Sequence, residues 1–211
     1  MRYLFSIIVL FIFVMSDATA ATFSLPEVDH TLDEIAPHAL NYPPKFDSDI
    51  QRNQIQTKLK DVIQLLNAAS LKYPNDMEIL FRKAVANGMG HNMDFPNCAE
   101  TSMEAYEELL KHNPEDRRAN FYYGGFLSGT TLVQQSIKYL QKAIQLGEGD
   151  AHYTLAFVYM KLHDSQSALP EFKEFLKTNP DNKTAQKMVS EIESGKVSSN
   201  IITLPLSDEP K

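Results

Sequence analysis

Three short junctions recur along this 211-residue chain: Lys72-Tyr73-Pro74-Asn75-Asp76, Lys111-His112-Asn113-Pro114-Glu115-Asp116 and Lys177-Thr178-Asn179-Pro180-Asp181-Asn182. Their prolines stand 40 and then 66 residues apart, and 66 is twice 33. A period of that size marks an array of stacked helical units, each too small to bury its apolar side without its neighbours. Such an array points to binding without naming what is bound.

Between the junctions the apolar residues fall at helical spacing. Ile55, Leu59, Val62, Ile63, Leu66 and Ala69 form one stripe on a helix from about Asp49 to Lys72, which Pro74 ends. The same reading predicts helices over Met77–Met89, Cys98–His112, Arg117–Leu127, Val133–Leu146, Ala151–Leu162 and Ser165–Lys177, with a break over Gly88–Asn97. Pro170 is expected to make its helix start late or bend. Lys183–Ser194 reads as a polar closing helix, as the end of a stack must face water on one side. Residues 21–48 hold Pro26, Pro37, Pro43 and Pro44 and read as an extended leader, with at most a short helix near Leu32–Ala39. Residues 195–211 lack a packed pattern and are expected to be a flexible tail.

Gly149–Asn182 is 34 residues long and resembles a tetratricopeptide repeat. The family's small, aromatic and proline positions hold Ala156, Tyr159, Ala168, Phe172 and Pro180, and Leu155 also matches. His152 and Phe175 depart from the pattern. Arg117–Glu148 is a copy two residues short, with Gly124 at the small position and Glu148 in place of the proline. Met77–Asp116 is a degenerate copy keeping Ser102, Tyr106 and Pro114. The resemblance covers about residues 50–194 and implies an all-α fold: a short right-handed α-solenoid with an N-terminal helix and a C-terminal cap.

The resemblance also implies a surface. In such arrays the first helix of each unit lines a concave groove, and the groove positions bring together Phe81, Arg82, Arg118, Phe121, Tyr122, Gly125, Tyr153, Phe157 and Lys161. Aromatic and Arg side chains are favoured binding anchors, and an apolar groove suits an extended peptide or a helix. The absent side chains of Gly125 and Gly129 would leave room for a ligand backbone. Some of these aromatics would equally serve to pack one unit on the next. The Lys and Asn that grip chaperone C-terminal carboxylates in some members are replaced by Phe81 and Val85, and by Phe121 and Gly125.

Other chemistries find little support. There is no Walker loop, His-Glu-x-x-His, Gly-x-Ser-x-Gly or Cys-x-x-Cys. Gly124–Gly129 lacks the ending of a phosphate loop. His91, Asp94 and Cys98 are too loosely spaced to make a metal site. Catalytic residues, metals and cofactors are therefore not expected, and a thiol or metal activity at residues 88–98 is the improbable alternative. Cys98, at the start of its helix, is expected to have its thiol pKa lowered by the helix dipole. A net charge of −7 without a Lys/Arg cluster argues against nucleic acid.

Residues 1–20 read as a signal peptide: Arg2, an apolar run over Leu4–Met15 broken only by Ser6, and Ala18-Thr19-Ala20. The run is short for a membrane span, so cleavage is expected over an uncleaved anchor. These features together predict an exported protein, in a bacterial periplasm or secreted, that binds a protein or peptide as an adaptor or assembly factor. The alternative is a structural scaffold whose groove is filled by its own chain, for which Ile201-Ile202-Thr203-Leu204-Pro205-Leu206 is the apolar candidate.

Overall fold

The computed structural model describes residues 23–196. The expected signal peptide and the tail beyond residue 196 lie outside the described residues. Among these the chain forms nine helices and no strand: α1 Leu25–Ala39, α2 Asp49–Lys72, α3 Met77–Asn92, α4 Cys98–His112, α5 Arg117–Ser128, α6 Val133–Gln145, α7 Ala151–Lys161, α8 Ser165–Thr178 and α9 Lys183–Glu193. Helices pair as α3/α4, α5/α6 and α7/α8, with α9 against α8, and α2 packs more closely on α3 than on α1. From α1 to α7 successive odd-numbered helices touch one another, whereas successive even-numbered helices make no comparable contact.

The repeated junctions fold into repeated turns. Asp76, Asp116 and Asn182 each donate a backbone N–H to the carbonyl three residues earlier, on Tyr73, Asn113 and Asn179, at 3.1–3.2 Å. Proline follows that carbonyl each time, where its fixed φ suits the first central position of a turn. The same Asp or Asn then caps the next helix: its side chain accepts from Ile79, Ala119 or Ala185 N–H at 2.9–3.1 Å. One residue type therefore closes the turn and opens the helix. Glu148 lacks the proline's constraint, and there the chain uses a different device. Gly147 adopts φ +89°, and the Glu148 N–H reaches back to Ala143 O at 2.9 Å, a left-handed helix end that favours glycine.

The segment expected to be an extended leader is a full helix, α1, and it forms the first odd-numbered layer member. Pro26 lies in its first turn, where a missing N–H costs least, whereas Pro37 lies inside the last turn and removes a helix bond. Val28, Leu32, Ile35 and Ala39, at spacings of four, three and four, are all buried against α2 and α3. Its C-terminal carbonyls on Ala39 and Leu40 accept from Asn92 Nδ2, both at 3.0 Å. Two other expectations change. Helix α3 continues to Asn92, past the expected break at Gly88, because Gly88 and Gly90 face packed neighbours. Helix α8 starts at Ser165, capped by Asp164, and carries Pro170 inside it.

The apolar interior is divided. One cluster runs from Val28 on α1 to Leu127 on α5. A second joins Leu140 and Ala143 of α6 to Ala151, Leu155 and Val158 of α7. A third joins Tyr153, Ala156 and Met160 of α7 to Phe172 and Phe175 of α8 and Met188 of α9. Helices α5 and α6 approach so closely that a Cβ on Gly124 would stand 2.7 Å from Leu140 Cγ. No described helix is long and apolar enough to cross a membrane.

Candidate functional site

The odd-numbered helices carry the residues expected to form a groove, and these separate into two groups. Across α3 and α5, Phe81 meets Tyr122 edge to face with ring centroids 5.4 Å apart. Tyr122 in turn meets Phe121 at 5.6 Å, and the Arg118 guanidinium lies 4.7 Å above the Phe81 ring. Phe81, Phe121 and Tyr122 are each half-buried. Along α7, Tyr153 and Phe157 belong to a separate aromatic cluster. Tyr153 is only 7% exposed, because it packs on Phe175 at 4.7 Å and Phe172 at 6.2 Å. Phe157 is half-buried against Phe172 at 5.0 Å.

Gly125 lies one helical turn beyond Tyr122, and a Cβ placed there would meet nothing within 4 Å. Its neighbour Gly124 is the packing glycine, so two adjacent glycines serve different faces of α5. The result is a bare stretch of helix beside Tyr122.

The three cations on this face have partners within the chain. Arg82 is 13% exposed at the side chain. It donates from Nε and Nη2 to the two carboxylate oxygens of Asp29 on α1, at 2.6 and 2.7 Å, and from Nη1 to Glu78 at 2.6 Å. Arg118 Nη2 donates to the other Glu78 oxygen at 2.5 Å. The relay Asp29–Arg82–Glu78–Arg118 therefore links α1, α3 and α5. Hydrogen bonds from Arg118 and then Arg82 hold the Glu78 carboxyl below the ordinary glutamate range, and Asp29 raises the Arg82 pKa. Lys161 Nζ donates to the Ser128 carbonyl at 2.7 Å, tying the end of α7 to the end of α5. Sequence reasoning missed Asp29, which lay in the supposed leader, although the spacing from Val28 to Ala39 carried the signal of a helix.

Cys98 corrects the expectation of a lowered thiol pKa. It is the first residue of α4, but its side chain is buried against Gly90 and Ile63. Burial, and then the nearby Glu100 charge, push its pKa up. His91 lies edge-on to Phe126 at 5.7 Å, and among the described residues no three His, Cys, Asp or Glu side chains are grouped as metal ligands.

The tetratricopeptide pattern residues stand where helix contact needs them. Ala156 and Ala168 are fully buried between α7 and α8, Phe172 fills the space beside them, and Pro180 sits in the turn. One crystal structure of MamA matches this fold with TM-score 0.59 at 18% identity, over 72% of this chain and 86% of MamA. The fold is tetratricopeptide-like. A second MamA structure matches with TM-score 0.59 at 17% identity, over 80% of this chain and 84% of that one. A thermophilic TPR protein of Thermus thermophilus gives TM-score 0.43 at 11% identity, over 79% of this chain and 99% of its own. At these identities the likeness is one of fold. No protein-family model and no curated protein matches the sequence.

Proposed function

We propose that this tetratricopeptide-like chain is a binding module rather than an enzyme, and that the odd-helix face takes an extended peptide or a helix from a protein partner. One observation carries the reading: half-buried Phe81, Tyr122 and Phe121 form a continuous aromatic strip that ends at open space over Gly125. Aromatic rings give large contact area at low entropic cost, and a bare helix lets a partner approach the backbone. Closer packing among odd helices than among even ones favours curvature toward this face. Because Arg82, Arg118 and Lys161 already have partners, recognition there is apolar and backbone-directed rather than a grip on charge. Phe81, Phe121, Tyr122, Gly125 and Phe157 make the contact. Arg82 and Arg118 hold the strip in place, and Tyr153 backs Phe157.

The apolar run at residues 4–15 and the small-residue site at 18–20 support export and an adaptor or assembly role outside the cytoplasm. The test is selection of peptides from a random display library on the full chain, followed by titration of selected peptides against Gly125→Trp and Phe121→Ala. Each substitution is expected to weaken binding at least tenfold. Equal affinity for all three proteins, each with an unchanged circular dichroism spectrum, refutes the reading.

A further inference from the structure

We propose that the apolar segment Ile201–Leu206 of the chain's own C-terminal stretch docks over Gly125 between α5 and α7, and so competes with the external partner. The inference rests on the reading of this face as a binding surface.

Three contacts place the origin of that stretch. The Lys173–Glu193 ion pair at 2.7 Å sets the C-terminal end of α9 beside the middle of α8. Helix α8 starts where α7 ends, across the short turn Leu162–Asp164, and α9 runs back along α8 toward that edge. Lys161 bonded to Ser128 brings the end of α5 to the same edge. The described chain thus ends, at Lys196, on the side of the array toward which α5 and α7 both finish, and Gly125 lies one turn inside the end of α5.

The reach is sufficient. Packed helices stand about 8–10 Å apart, so two spacings, from α9 past α7 to α5, come to roughly 20 Å. Leu204 lies eight residues beyond Lys196, and an extended chain covers about 27 Å in that length. The chemistry also fits. Ile201, Ile202, Leu204 and Leu206 are four large aliphatic side chains in six residues. Pro205 biases Leu204 toward an extended backbone, the form that would lie along a bare helix. The inner face offers Phe121, Tyr122 and Phe157 as half-buried apolar contacts, and its cations Arg82, Arg118 and Lys161 already have partners.

The test is disulfide trapping in the full chain in a Cys98→Ala background. Gly125→Cys is paired with Leu204→Cys, and Gln134→Cys with Leu204→Cys serves as control, since Gln134 is exposed on α6 in the other layer. After mild oxidation the first pair is expected to give a monomeric cross-link at least fivefold above the control. Equal yields, or a cross-link only between two chains, overturns the proposal. A second measurement avoids reliance on those variants: hydrogen exchange at Tyr122–Gly129 is expected to rise severalfold in Ile202→Asp/Leu204→Asp, and unchanged exchange also overturns it. Peptide binding that persists without the cross-link sinks the docked segment alone. A cross-link in a protein that selects no peptide leaves the segment standing and sinks the external partner.

Discussion

Arg82 and Asp29, 53 residues apart, face each other through two parallel hydrogen bonds of 2.6 and 2.7 Å. The pair fastens α1 to α3, and Glu78 extends the fastening to Arg118 on α5. A bidentate guanidinium–carboxylate pair with a mostly buried Arg is worth more than an ordinary surface pair. Arg82→Ala is expected to lower stability by about 1–3 kcal/mol in urea denaturation. A double-mutant cycle with Asp29→Ala is expected to give a coupling of about 0.5 kcal/mol or more. Additive single effects would mean that the pair does not hold α1.

Glu78 gives a pH signature. Its folded pKa is depressed by Arg118 and Arg82, so the folded state binds a proton there less readily than the unfolded chain. Its contribution is therefore present above the ordinary glutamate pKa of about 4.3, and is lost as pH falls through the lower folded value. Glu78→Gln is expected to lower Tm at pH 7 and to narrow the drop in Tm between pH 5 and pH 3. It will not abolish that drop, because Glu34, Glu108, Asp164 and Glu174 are shifted in the same direction. An unchanged acid limb in thermal melts would contradict the relay.

Adjacent glycines are expected to respond with opposite signs. Gly124→Ala sets a methyl group 2.7 and 2.9 Å from Leu140 carbons and 3.2 Å from its backbone nitrogen. Helix α6 must move, at a cost of about 1–3 kcal/mol. Gly125→Ala meets open space in the middle of a helix, so it is expected to stabilise by up to about 1 kcal/mol. Chemical denaturation of the two variants beside the parent decides the matter, and a shared sign would show that the assignment of faces on α5 is wrong.

Ile35 is fully buried on α1. Ile35→Ala is expected to cost about 2–5 kcal/mol, whereas a residue in an extended leader would cost almost nothing. The denaturation midpoint measures whether α1 belongs to the packed array.

The buried thiol of Cys98, with its raised pKa, is expected to react with a disulfide reagent at neutral pH at least tenfold more slowly than after unfolding. Rapid labelling of the folded protein would show that the thiol reaches solvent.

Much of the array was legible because its signals are local. Apolar spacing and proline placed α2 and α4 at their observed bounds and the other repeat helices within a few residues. The misses have physical causes. Four prolines between Pro26 and Pro44 masked α1, yet proline is tolerated in a first turn, where Pro26 falls, and burial of Val28, Leu32, Ile35 and Ala39 outweighs the bond that Pro37 removes. Gly88 and Gly90 resembled a helix stop, but their missing side chains admit Phe126 and Cys98. The candidate face was legible as a set of positions, and its internal chemistry was not. Which cations are neutralised depends on pairs 53 and 40 residues apart, and no periodicity reports such pairs. Tyr153 and Phe157 looked equivalent in register, but only the packing of α8 and α9 buries the first more deeply than the second.

The partition of the oily interior has a mechanical consequence. The segment from α1 to α5 shares one large cluster, whereas α6 to α9 rest on two smaller ones that meet in α7. Helix α7 alone serves both small clusters, so the link between α6 and the α8–α9 end runs through it. Anything seated between α5 and α7 would brace that joint, so occupancy and rigidity there rise and fall together.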